Sequence, residues 1–171
     1  MSRATERWIH IDIPHQRLSL FDGKTCVAGW PVSTARNGPG EQTGSECTPR
    51  GEHRVRIKIG DGCAVNSVFA ARRPTGEVYS EQLARSQPQR DWILTRILWL
   101  TGCEPGRNRG GDCDTLRRFI YIHGCPDSLP MGSPESHGCI RMRNADLVDL
   151  FEQVDVGTRV LIDEQGNSHD D

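Results

Sequence analysis

The chain has 171 residues, 26% of them charged and 35% hydrophobic, with a formal net charge of −2. That length suits one domain with a sizeable core, and the near-balanced charge gives no strongly basic face, which argues against nucleic acid and anionic membrane as partners. No run approaches the ~20 apolar residues of a membrane span, and the opening MSRATERWIHIDIPHQRLSL has neither an apolar h-region nor a small-residue cleavage site, so a cytoplasmic protein is expected if Met1 is the natural start.

In chain order, Ile9, Ile11 and Ile13 alternate with Trp8, His10 and Asp12, which predicts a strand with one buried face. RLSLF (17–21), the turn DGK (22–24) and TCVAGWPVS (25–33) predict a hairpin. ARNGPGEQTGS (35–45) reads as a loop. TPRGEHRVRIKIG (48–60) opens with a Pro-x-Gly turn and continues as a strand carrying Val55, Ile57 and Ile59 on one face. Residues 60–90 lack clear periodicity and are expected to form long loops. WILTRILWL (92–100) favours a strand through its β-branched residues and tryptophans, and CEPGRNRGGDC (103–113) a loop. In RRFIYIHG (117–124), Phe119, Tyr121 and His123 share one face, Ile120 and Ile122 the other, and His123 ends the strand. NADLVDLFEQV (144–154) predicts a helix capped by Asn144, its apolar face formed by Leu147, Val148, Leu150, Phe151 and Val154. TRVLI (158–162) is a final strand, and His169 in the polar tail is expected to be idle. The sum is a mainly-β single domain over 1–163, a sandwich or partly open barrel with one clear helix, followed by a polar tail at 164–171. The oligomeric state is not set by these patterns.

Seven cysteines are present, an odd number, with no C-x-x-C pair. That disfavours a secreted disulfide scaffold and fits free thiols in a reducing compartment. The notable stretch is YIHGCPDSLPMGSPESHGCIRM (121–142), in which His-Gly-Cys occurs twice. Two imidazoles and two thiols suggest a zinc cage, but each pair is His-x-Cys, a shorter spacing than in structural zinc sites. The other reading is a thiol nucleophile with its base. An imidazole can take the thiol proton, and His123 at a strand end is placed to do so, with the carbonyl of Gly124 available to orient its ring. In SHGC, Gly138 allows backbone conformations other residues resist. It can direct the amides of Gly138, Cys139 and His137 at a developing oxyanion.

His123-Gly124, then SHGCIRM at 136–142, preceded by TPRG at 48–51, resembles the L,D-transpeptidase catalytic domain, the YkuD-like family. The resemblance covers most of the chain. It implies a β-sandwich-like fold and a cysteine acyl-enzyme that needs no metal or other cofactor. Cys139 would be the nucleophile and His123 its base, with the Gly124 carbonyl orienting the ring. The amides of His137, Gly138 and Cys139 would be oxyanion donors, and Ser136, His137 and Arg141 would shape the pocket. Arg141 is expected either to pair with a substrate carboxylate or to form an ordinary ion pair. The implied donor is a peptidoglycan stem tetrapeptide, attacked at the L-centre carbonyl of meso-diaminopimelate with loss of terminal D-alanine.

Cys125 departs from the family pattern, and packing is its expected role. The expected cytoplasmic location favours water as acceptor, hence an L,D-carboxypeptidase acting in peptidoglycan recycling. The alternatives are an L,D-transpeptidase using an amine or D-amino acid, and a non-catalytic zinc- or substrate-binding module. Residues 60–116 are a candidate lid, while Arg72, Arg73, Arg117 and Arg118 are candidate carboxylate binders more in keeping with a solvated surface.

Overall fold

The alternation near the N-terminus becomes β1 (Arg7–Asp12), which pairs antiparallel with β2 (Arg17–Asp22) in the computed structural model, whose described residues are 6–166. β2 continues through the predicted tight turn into β3 (Thr25–Ser33). The remaining strands are β4 (Gly51–Ile59), β5 (Ser67–Ala70), β6 (Arg73–Val78), β7 (Ile93–Gly102), β8 (Tyr121–Gly124), β9 (Ile140–Met142) and β10 (Arg159–Asp163). The helices are α1 (Glu81–Ser86) and α2 (Asn144–Gln153). The predicted C-terminal tail, with His169, extends past the last described residue.

The sheet runs β4-β10-β1-β2-β3-β9-β8-β7-β5-β6, and a further β4–β7 pairing closes eight of these strands into a barrel. The mainly-β expectation thus takes its barrel form. Inward residues of each strand fill the interior, among them Ile9, Leu18, Val32, Leu98, Ile122 and Ile140, each fully buried. Burying side chains of this kind stabilises by about 1.5–3 kcal/mol each. α2 lies against β7 and β8 and adds Leu147, Leu150 and Phe151 to the same core. Its C-terminal carbonyls are satisfied by a side chain: Lys58 Nζ donates to the carbonyls of Phe151 and Val154, both at 2.7 Å.

Four expectations change. In β4 a bulge between Val55 and Ile57 breaks the two-residue period, so Val55 is buried while Ile57 is 38% exposed. Residues 60–90 are not all loop: β5 and β6 form a hairpin on β7, and α1 follows, its N-terminus capped by Ser80. These elements pack mostly outside the main core, so they lack a strong apolar period. The strand at 117–124 begins only at Tyr121, because Phe119 sits in left-handed backbone (φ 57°) with its ring exposed. Finally, Asn144 does not cap α2; Arg143 occupies that position without a side-chain hydrogen bond.

His53 is fully buried, its Nδ1 against the Gly51 carbonyl (2.9 Å) and its Nε2 against Thr115 Oγ1 (2.9 Å). Burial pulls its pKa down to about 4 from 6.5. The unfolded chain therefore binds this proton over a range where the folded chain does not. The contribution is complete above pH 6.5 and is lost as pH falls toward 4. A chemical-denaturation series at pH 7 and pH 4 should show the His53→Gln variant losing about 3 kcal/mol less stability on acidification than the parent; identical losses would contradict a buried neutral His53.

Candidate active site

β8 and β9 are adjacent and parallel, with His123 opposite Arg141 and Ile122 opposite Ile140. The two-residue period then places Tyr121, His123, Cys139 and Arg141 on one face and sends Ile122, Ile140 and Met142 into the core. Those four face residues line a cleft of about 290 Å³. His123 and Cys139, at the ends of different strands, thus share one wall.

His123 is 2% exposed. Its Nδ1 lies 2.7 Å from the Gly124 carbonyl. Facing an acceptor, Nδ1 must carry the proton, which leaves Nε2 as the basic nitrogen. The glycine is required by space: a Cβ on Gly124 would lie 2.3 Å from Asn144 Oδ1 and 2.5 Å from the Leu94 carbonyl. Asn144 serves a buried network instead of a cap. Its Oδ1 accepts from Thr95 Oγ1 (2.6 Å), and its Nδ2 donates to the Cys125 carbonyl (2.9 Å) and to Asp127 Oδ1 (3.1 Å). It ties the chain just after Gly124 to Thr95 of β7. Its position directly after SHGCIRM-Arg was the available sequence signal, obscured by its equally good fit to a helix cap.

Cys139 is half-buried. Its thiol donates to the Phe119 carbonyl (3.3 Å) and its sulfur accepts from the Tyr121 amide (3.3 Å). Burial pushes the Cys139 thiol up to about 11, and burial lowers the pKa of His123 despite the Gly124 carbonyl. Both shifts favour an uncharged thiol beside an uncharged imidazole.

The loop carrying the thiol is tied down from within and without. Ser136 Oγ donates to the Cys139 carbonyl (2.6 Å) and accepts from the Gly138 amide (3.2 Å). That engages the Gly138 amide, an expected oxyanion donor, inside the loop. Gly138 adopts φ 134°, and Thr48 Oγ1, from the TPRG turn, donates to its carbonyl (2.9 Å). His137 is exposed at the cleft.

Arg141 takes the ion-pair form: Nη2 lies 3.3 Å from Asp91 Oδ1, and Nη1 is 3.4 Å from the Glu135 carbonyl. Of the four other arginines considered, Arg72 and Arg118 line the cleft and Arg73 and Arg117 are exposed away from it. Arg118 donates to the carbonyls of Cys47 (2.6 Å), Glu41 (3.2 Å) and Gly40 (3.3 Å). Cys125 packs: it is 1% exposed, its thiol points at the Met142 carbonyl (3.6 Å), and burial raises it to about 11. Among the described residues no three His, Cys, Asp or Glu side chains converge as metal ligands, so the zinc-cage alternative has no cluster to rest on. Within the candidate lid, only the tip of the β5–β6 hairpin and residues near Asp91 reach the cleft before the 118–120 turn.

An uncharged resting thiol should react with iodoacetamide ever faster as pH rises. The alkylation rate of the Cys139 peptide, followed by mass spectrometry, is expected to climb about tenfold per pH unit from 7 and still be climbing at 9.5. A plateau near neutral pH would instead indicate a preformed thiolate–imidazolium pair.

Comparison with known proteins places the chain in a family. The family model described as the L,D-transpeptidase catalytic domain (YkuD) matches residues 6–162. The probable L,D-transpeptidase YbiS of Escherichia coli is 35% identical over 92 residues, 53% of this chain and 28% of that protein. An L,D-transpeptidase structure from Mycobacterium smegmatis superposes with TM-score 0.59 at 20% identity, covering 93% of this chain and 59% of that one. L,D-transpeptidase 3 from Mycobacterium tuberculosis, in complex with a faropenem-derived adduct, gives 0.58 at 18%, covering 94% and 61%. The two structures share the fold, and each relative is substantially longer than the part this chain matches. With the family model spanning nearly every described residue, the chain belongs to the YkuD family of L,D-transpeptidase catalytic domains.

Proposed function

We propose that this chain catalyses acyl transfer from peptidoglycan stem peptides through a thioester on Cys139. The observation that carries the reading is the shared wall: Cys139 and His123 face one cleft, and the Gly124 carbonyl holds the imidazole with Nε2 unprotonated. In the proposed reaction, Sγ attacks the L-centre carbonyl of meso-diaminopimelate as Nε2 takes the thiol proton. The Tyr121 amide, already bonded to sulfur, stabilises the charge that develops there. The carbonyl oxygen becomes an oxyanion, for which the amides of His137 and Cys139 are the proposed donors, the Gly138 amide being held by Ser136. The C–N bond to D-alanine then breaks, and His123 returns its proton to the departing amine.

An acceptor next attacks the thioester and regenerates the thiol. The relatives' names favour an amine, hence L,D-transpeptidation. Hydrolysis, the L,D-carboxypeptidase reaction, is the second reading. It is favoured by the half-buried position of Cys139, which lets water reach a thioester there. A cytoplasmic site of action would strengthen that second reading.

Incubation with a free stem tetrapeptide ending in D-alanine tests the proposal. Intact-mass analysis should show an acyl adduct on Cys139, absent in Cys139→Ser and unaffected in Cys125→Ser. His123→Ala should slow its formation by roughly 10²–10⁴-fold. With a D-amino acid present, exchange for D-alanine should exceed ¹⁸O incorporation from labelled water; the reverse order would make hydrolysis the principal reaction. An adduct on Cys125, or none at all, would refute the thioester.

A further inference from the structure

The cleft carries more positive charge than its own acids balance. Arg141 is paired with Asp91, whereas Arg72 and Arg118 have no carboxylate within 4 Å among the described residues. Arg118 is occupied by backbone carbonyls. Arg72 is different. Its guanidinium lies 4.6 Å from the Phe119 ring and 5.2 Å from the Trp99 ring, and Nη1 reaches only the Tyr121 hydroxyl, at 3.4 Å. The two rings hold the guanidinium at the cleft and leave most of its hydrogen-bonding edge unused.

The backbone beneath it is unusual. Ala71 and Arg72 are the two central residues of the β5–β6 turn, and both adopt left-handed backbone, φ 47° and 65°. Glycine or asparagine normally fills such positions, because a Cβ is disfavoured there. Phe119, on which Arg72 stacks, is left-handed as well. Strain of this kind persists where the surroundings enforce a particular side-chain placement.

We infer that Arg72 selects acyl donors carrying a free carboxylate near the scissile bond, engaging that group through the open edge of its guanidinium. A planar fork matches a carboxylate bidentately and loses that match when the group is amidated. The inference deepens the acyl-transfer reading and rests on it for the identity of the donor. The preference for a negative charge at the cleft can be measured without it.

The first measurement compares iodoacetate with iodoacetamide at Cys139, reagents that differ chiefly in charge. At low salt, Arg72→Asn, which suits left-handed backbone, and Arg72→Gln should both lower the iodoacetate-to-iodoacetamide rate ratio by about threefold or more. Arg73→Gln, one residue on and outside the cleft, should leave the ratio unchanged. An unaltered ratio in both Arg72 variants, or an equal fall in Arg73→Gln, would overturn the inference.

The second measurement uses three stem tetrapeptides: one unmodified, one amidated at the D-centre carboxylate of diaminopimelate, and one ending in D-alaninamide. The parent protein should disfavour one amidated donor by about tenfold in kcat/KM, mainly through KM, which identifies the carboxylate that Arg72 reads. Arg72→Asn should abolish that discrimination and Arg72→Lys restore part of it. Equal discrimination in parent and Arg72→Asn would overturn the role. If no donor acylates Cys139 while the iodoacetate ratio still falls, the charge-selecting role stands and the stem-peptide reading fails.

Discussion

The register of β8 against β9 is the constraint on which the site depends. His123 lies one residue before the end of one strand, Cys139 immediately precedes the other, and no local contact in sequence brings them together. What brings them together is the burial of Ile122, Ile140 and Met142 on the opposite face, each fully excluded from solvent. A slip of one residue in either strand would turn its core residues outward and its site residues inward. The hydrophobic interior therefore does the positioning, and the chemistry sits on the reverse side of residues chosen for packing. Parallel neighbours also need a long crossover, and residues 125–139 supply it, with Ser136, His137 and Cys139 at its end lining the cleft.

That arrangement leaves a reactive pair in poor solvent. Burial opposes charge on Cys139 and on His123 alike, so neither group ionises easily alone. The proton can pass from sulfur to nitrogen when both charges form together and a substrate carbonyl is there to take the electrons. The fixed dipoles are already in place: the Tyr121 amide at the sulfur and the Gly124 carbonyl at Nδ1. Neither must reorganise during the reaction, which is where preorganised groups have their advantage over water. Thr48 and Ser136 make the same contribution to the thiol loop by fixing carbonyls rather than touching the cleft's centre.

Much of this was legible before any coordinates. β1 follows from the alternation of its isoleucines, the β2–β3 hairpin from its turn at 22–24, and β10 from the short apolar run at 158–162. His123, Gly124 and Cys139 follow from motif chemistry and family resemblance, and both His123 and Cys139 occupy the cleft. The failures have physical causes. The β4 bulge inserts a residue that alternation cannot foresee, so Ile57 turns outward. The β5–β6 hairpin has a mostly exposed second strand and hence no apolar period. Asn144 suits two environments equally well, and only tertiary packing chooses the buried one. The Gly138 amide was assigned to an oxyanion because a glycine permits it, but the neighbouring Ser136 hydroxyl engages it first.

Backbone strain links these supports. Seven non-glycine residues among those described have left-handed φ, and five of them, Asn66, Ala71, Arg72, Thr95 and Phe119, lie on the cleft or in the Asn144 network. Each such conformation costs about 1–2 kcal/mol for a residue with a Cβ, so their clustering opposes folding by an amount the core must offset. Thr95 shows what is obtained in return. It sits in a bulge of β7 that separates the Leu94–Gly124 pairing from the Ile97–His123 pairing. Its hydroxyl donates to Asn144 and accepts from the Asn66 amide, while Arg96, itself buried, donates to its carbonyl (2.7 Å). The bulge shifts the register between His123 and Gly124, the two residues joined by the contact of Nδ1 with the Gly124 carbonyl. The strain is thus concentrated around the part of β7 and β8 that carries Thr95, His123 and Gly124, and along the rim of the cleft.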